Sequence, residues 1–152
     1  MIISLICGLL CVYLGFNFSS KVKKEKRLLK SLIRFNKSIL INFEYEKKSI
    51  LEFVKGYKDK ELNELIAQFS SQLKKGREIS ISIQDKSIKK EVDYYLSNLG
   101  KSDSVSQIEF VKGYEKIFQN YYEEFCQNGN KKIALYPKLG FLVGGIVFIM
   151  LL

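Results

Sequence analysis

The chain has no histidine and no tryptophan, and its three cysteines stand in no paired motif. Without histidine the commonest general base and metal ligand is missing, and no serine or cysteine can be activated through a Ser–His or Cys–His pair. Cys7 and Cys11 lie one helical turn apart in an apolar run and Cys126 is alone, which makes neither a disulfide framework nor a zinc site. Carboxylates do fall close together, Glu44 with Glu46 and Glu123 with Glu124. Side chains one or two apart on a helix point in different directions, so these read as solvated charges and not as a catalytic dyad. "GKS" at 100–102 fails as the end of a phosphate-binding loop, because the position that needs a second glycine holds Tyr95. No catalytic residue, cofactor, metal or small-molecule substrate is expected, and the chain reads as something other than an enzyme.

Charge is also missing, from the two ends. "MIISLICGLLCVYLGFNF" (1–18) has no charged side chain, and "IALYPKLGFLVGGIVFIMLL" (133–152) has only Lys138. Each is near the ~20 residues that carry a helix across ~30 Å of hydrocarbon. Nothing basic precedes the first run and "NFSSKVKKEKR" follows it, which favours a retained anchor over a cleaved signal peptide. In the second run Lys138 can snorkel and Tyr136 suits an interfacial belt. A re-entrant or tail segment over 139–152 stays open as an alternative. Lys21, Lys23, Lys24, Lys26, Arg27 and Lys30 follow the first run, and Lys131, Lys132 and Lys138 flank the second. Basic flanks stay on the cytoplasmic side, so the expected order is a transmembrane helix over 1–20, a cytoplasmic domain over 21–132 and a second transmembrane helix over 133–152. These flanks account for much of the net charge of +9. A nucleic-acid partner is not expected, since the aromatics fall at core spacing and no reading motif interleaves them with the basic residues.

The middle reads as all-α. Leu28, Leu32, Phe35, Ile39 and Phe43 step at helical spacing, in a helix expected to end near Lys47 or Lys48. Ser49 and Glu52 have capping-box spacing for a short helix that Gly56 stops. Asp59 caps a third helix with the stripe Leu62, Leu65, Ile66, Phe69 and Leu73, closed by Gly76. "EISISIQ" (78–84) alternates like a strand, but no second alternating run exists to pair with it. It reads as an extended lead-in whose serines cap a fourth helix carrying Ile83, Ile88, Val92, Tyr95, Leu96 and Leu99. A fifth follows with Ile108, Val111, Tyr114, Phe118 and Phe125. "EFVKGY" occurs at 52–57 and again at 109–114, but the registers around the copies differ and the echo reads as accidental. Between the last two helices lies "LGKSDSVSQ" (99–107). Gly100 suits a left-handed helix end, residues 102–104 offer cap oxygens, and Ser104 with Gln107 has capping-box spacing.

That turn resembles the L-G-x-[ST]-D-x-x-x-Q segment of the stage III sporulation protein AB family of endospore-forming bacteria. Lys132, Tyr136, Leu139, Gly140, Leu142 and Gly144 are similar to the family's closing K-x-x-x-Y-x-x-L-G-x-L-x-G helix. "NFEYEKKSILEF" (42–53) resembles a family segment at Tyr45, Ile50 and Glu52, with Lys48 and Ser49 where the family has Thr and Pro. The resemblance implies a helical cytoplasmic domain like the F-type platform proteins of type II secretion and type IV pilus machines. It further implies a mother-cell membrane component of the channel-like complex between mother cell and forespore, lying between a secretion-type ATPase and ring-forming proteins. Leu99, Gly100, Ser102, Asp103 and Gln107 are then the family's fixed turn, serving either the hairpin's shape or partner contact. A membrane-tethered adaptor and a small pore-forming or lytic membrane protein are the competing expectations.

Overall fold

The computed structural model describes residues 2–75, 83 and 85–150, and among them every regular element is helical. Helix α1 spans Ile2–Ile41 and passes into a π-helical turn, Asn42–Glu46; α2 is Ile50–Gly56, α3 Asn63–Lys75, α4 Lys86–Asn98 and α5 Ser104–Met150. The all-α expectation holds. Gly76, the serines of the 78–84 lead-in and most of that stretch lie outside the described residues. The chain divides into two units, one of Met1–Arg27 with Glu123–Leu152 and one of Leu28–Tyr122. The divisions at 27/28 and 122/123 fall inside α1 and α5.

In the unit Leu28–Tyr122 the apolar stripes meet in one core. Leu29, Leu32, Phe35 and Ile39 of α1 are buried with Leu62, Leu65, Ile66 and Phe69, with Val92, Tyr95 and Leu96 of α4, and with Val111, Tyr114 and Phe118 of α5. Burying each large apolar side chain is worth about 1.5–3 kcal/mol. Aromatic rings concentrate here: Tyr95 lies 5.8 Å from Phe110, 4.9 Å from Tyr114 and 5.1 Å from Phe118 between centroids. Burial pushes the Tyr95 hydroxyl far above its ordinary pKa. The α1 stripe is buried as spaced at Leu32, Phe35 and Ile39 and departs from its expected course at the two ends. Leu29 is buried where Leu28 was expected, and polar Ser31, Asn36 and Asn42 share the buried face. Asn36 holds its place by donating its Nδ2 to the Val111 carbonyl at 3.0 Å.

The caps divide into matches and corrections. Ser49 accepts from the Glu52 N–H at 3.3 Å, as its spacing implies. Asp59 accepts from the Glu61 N–H at 2.9 Å and opens the turn that runs into α3. For α4 the cap is Asp85, which takes the Ser87 and Ile88 amides; the serines expected in that role lie upstream, outside the described residues. Asp85 wins because its carboxylate sits directly ahead of the helix and carries charge toward the positive end of the helix dipole.

The unit Met1–Arg27 with Glu123–Leu152 is packed on a different rule. A Cβ added at Gly15 would fall 2.7 Å from the Tyr136 carbonyl oxygen, and one at Gly144 would fall 2.8 Å from that of Gly8. Gly140 sits against Cys11 and Gly15 in the same way. The glycines thus let α1 and α5 touch backbone to backbone, antiparallel, as small residues do between helices in lipid. Pro137 lies inside α5 and cannot donate to the carbonyl four residues back, that of Ile133. The buried Ser19 hydroxyl donates to that oxygen instead, at 3.1 Å. Large apolar side chains face outward: Leu9, Leu142 and Phe141 are 62%, 60% and 59% exposed. Among the described residues one helix, α5, is long and apolar enough to cross a membrane.

Candidate functional site at the loop end of the helical unit

The residues of the turn at 99–107 form one hydrogen-bonded piece. Leu99 is buried and closes α4, its N–H bonding the Tyr95 carbonyl at 3.0 Å. Gly100 has φ +86, which demands glycine there, and an added Cβ would fall 2.5 Å from Cδ1 of Ile50, whose end would have to turn aside. Asp103 is the cap of α5: one carboxylate oxygen accepts from the Ser106 N–H at 3.1 Å and the other from the Ser106 hydroxyl at 2.7 Å. Those two bonds hold its carboxyl below the ordinary Asp pKa, the hydroxyl bond foremost.

Gln107 does not make the capping box expected with Ser104. It is 3% exposed and reaches back across the turn. Its Oε1 accepts from the Gly100 N–H at 2.9 Å, while its Nε2 donates to Ser102 Oγ at 2.7 Å and to the Asn98 carbonyl at 3.3 Å. One side chain therefore pairs the amide of the left-handed glycine, a group that would cost about 1–3 kcal/mol if buried unpaired, and shares the Asn98 carbonyl at the end of α4 with the Lys101 N–H. With Asp103 already serving the helix start, the glutamine is free for the turn.

The structure brings this turn against the 42–53 segment, a juxtaposition that spacing along the chain did not disclose. Ile50 packs over Gly100. In the π-helical turn the buried Asn42 does two things: its carbonyl accepts from the Lys47 N–H at 2.7 Å and its Nδ2 donates to the Lys48 carbonyl at 3.0 Å. Lys47 is thereby held left-handed at φ 54, unusual for a non-glycine residue. Phe43, expected on the core stripe, is only half-buried because the wider turn delivers Asn42 to that place. Lys112 of α5 pairs with Glu44 at 2.8 Å, and Lys48 with Glu46 at 2.9 Å. Each lysine's pKa is raised, first by the hydrogen bond to its glutamate and then by the opposite charge.

Beside the π-helical turn opens a groove of about 520 Å³, lined among others by Ile41, Glu46, Glu52, Phe53 and Tyr57. In the sequence beside its lining residue Glu46, Tyr45 is 77% exposed, the most exposed large apolar side chain among the described residues of this unit. Among the described residues no cluster of three or more His, Cys, Asp or Glu could hold a metal ion. The surface can present an aromatic anchor, an apolar floor and carboxylates to another molecule.

In the other unit, Lys21, Lys23, Lys24, Arg27, Lys131 and Lys132 are exposed, and Lys26 donates to Asn130 Oδ1 at 2.8 Å. Lys138 stands apart from them. It lies level with Gly15, six residues beyond Lys132 and roughly 9 Å further along α5.

A family model for stage III sporulation protein AB matches residues 1–152, the whole chain. The chain belongs to that family. No curated protein and no solved structure matches it. In this stage III AB family member the turn combines a core leucine, a left-handed glycine, a hydroxyl for the glutamine, a helix cap, and the glutamine that ties both helix ends. Membership sets the chain among the proteins of sporulation, and α5 supplies a candidate membrane helix.

Proposed function

We propose that the chain is a non-enzymatic membrane platform subunit of the channel-like complex between mother cell and forespore. It would link a cytoplasmic secretion-type ATPase to the membrane and to ring-forming proteins. The observation that carries this reading is the inverted burial of the unit Met1–Arg27 with Glu123–Leu152: glycines inside, leucines and phenylalanines outside. Such a pair of helices is stable in hydrocarbon, where outward apolar side chains cost nothing and close backbone packing supplies the association. The uncharged 1–18 stretch spans about 27 Å as a helix, enough for a second crossing beside α5. With basic residues at the inner ends of both crossings, the unit Leu28–Tyr122 faces the cytoplasm.

The docking surface in this reading is the loop end, with Tyr45 as the anchor and the turn at 99–107 as its rigid support. Exposed aromatics beside apolar pockets are typical carriers of binding energy. The test is capture of the ATPase and ring proteins by the tagged full chain in sporulating cells. Tyr45→Ala should leave thermal unfolding unchanged and reduce capture at least about ten-fold. Asp103→Ala should lower stability and weaken capture only as far as the turn loosens. Capture unaffected by Tyr45→Ala removes the loop end as the docking surface. A cysteine-accessibility map that puts Lys55 outside the cytoplasm overturns the topology.

A further inference from the structure

We infer that the basic residues of the unit Met1–Arg27 with Glu123–Leu152 form a binding collar for anionic phospholipid headgroups, beyond their part in setting topology. Two contacts fix the register. Ser19 meets the Ile133 carbonyl and Lys26 meets Asn130, so Lys21, Lys23 and Lys24 of α1 lie at the level of Lys131 and Lys132 of α5. Glu25 is the one carboxylate within 19–27 and 128–133. Among the described residues Lys23, Lys24, Lys131 and Lys132 take part in no ion pair. Four ammonium groups on two adjoining helices are thus left for a partner that is itself negative.

The partner's other half is written in the neighbouring side chains. Immediately toward the chain ends come the outward-facing Phe16, Phe18 and Leu135, each half exposed or more. Lys21 holds its ammonium 5.5 Å over the Phe18 ring, at the seam between the charged level and the apolar one. A ligand covering both levels carries a phosphate at one end and hydrocarbon at the other. A free anion would reach only the lysines. A zwitterionic lipid would cover both levels but bring no net charge to them. An anionic phospholipid meets both, at a gain of roughly five-fold in affinity for each lysine engaged near a charged surface.

The inference rests on the membrane-spanning reading, and the experiment separates the two. The full chain is reconstituted into vesicles of equal parts phosphatidylglycerol and phosphatidylcholine, washed in alkaline carbonate, then extracted in mild detergent and its bound phospholipid identified. The expected result is retention through the wash with phosphatidylglycerol enriched at least about five-fold. In a variant combining Lys23→Gln, Lys24→Gln, Lys131→Gln and Lys132→Gln, with helical content checked by circular dichroism, enrichment should fall toward the vesicle ratio. High salt should do the same to the unaltered chain. Release by carbonate overturns the spanning reading and the collar with it. Retention without enrichment, or enrichment that survives in the variant, overturns the collar alone.

Discussion

In the unit Leu28–Tyr122 large rings fill the core: Phe35, Phe69, Tyr95 and Phe118 are fully buried. In the unit Met1–Arg27 with Glu123–Leu152 the buried positions include Gly15, Ser19, Gly129, Gly140 and Gly144, while Phe16, Phe141 and Leu142 look outward. The same two helices, α1 and α5, contribute to both. Water drives apolar groups together and selects the first arrangement. Lipid is as apolar as leucine and would remove that drive, so under the membrane reading proposed above packing and hydrogen bonding select the second. One helix can therefore carry two packing codes, each legible only against its own solvent.

The contrast is sharpest for phenylalanine. Phe35→Ala should destabilise the Leu28–Tyr122 unit by about 3–5 kcal/mol in denaturant titration of the full chain in detergent. Phe141→Ala should leave the transition midpoint nearly in place; equal losses from the two would dissolve the distinction. Glycine gives the reverse test. Gly15→Val should cost about 1–3 kcal/mol through overpacking, because its Cβ meets backbone atoms that cannot swing aside. Gly145→Val, with open space around the glycine, should be tolerated.

A smaller effect is expected from the proline bypass. Ser19→Ala should cost about 1 kcal/mol, and the cost should vanish when Pro137→Ala restores the amide that the Ile133 carbonyl lacks. Additive losses would mean that the hydroxyl serves some other purpose. The smallest effect is electrostatic. Asp103 is ionised more readily when folded than when unfolded, so its cap contributes stability above the ordinary carboxylate range and loses it as pH falls through the lowered folded pKa. Asp103→Asn should remove that part of the acid-side slope in thermal unfolding, leaving neutral-pH stability only slightly changed.

Much of the bundle was legible because its stripes are periodic and its breaks carry chemistry of their own. Gly100 marks a left-handed end, Ser49 marks a helix start, and Ile88 through Leu99 trace a face that is buried as spaced, whereas Asp59 bonds the turn ahead of α3 and not the helix start at Asn63. Gln107 has another role than its spacing suggests: the three-residue step from Ser104 fits a capping box, but Asp103, one place ahead of Ser104, is the residue that caps the helix start. Asn42 carries no local sign of burial, since an amide reads as a surface group and only the π-helical turn buries it. Ser19 and Pro137 stand far apart in sequence, and nothing local to either records the other. The glycines within the apolar ends were visible as small residues, though not as each other's partners.

The turn at 99–107 has a consequence for how this chain can diverge. Gln107 reaches Gly100, Asn98 and Ser102 only because the intervening residues number what they do. An inserted or deleted residue there would break several bonds together, whereas Lys101 and Val105 take part through their backbone alone and leave their side chains exposed. Natural drift through this loop should therefore alter its lettering freely at those two places and leave its length untouched.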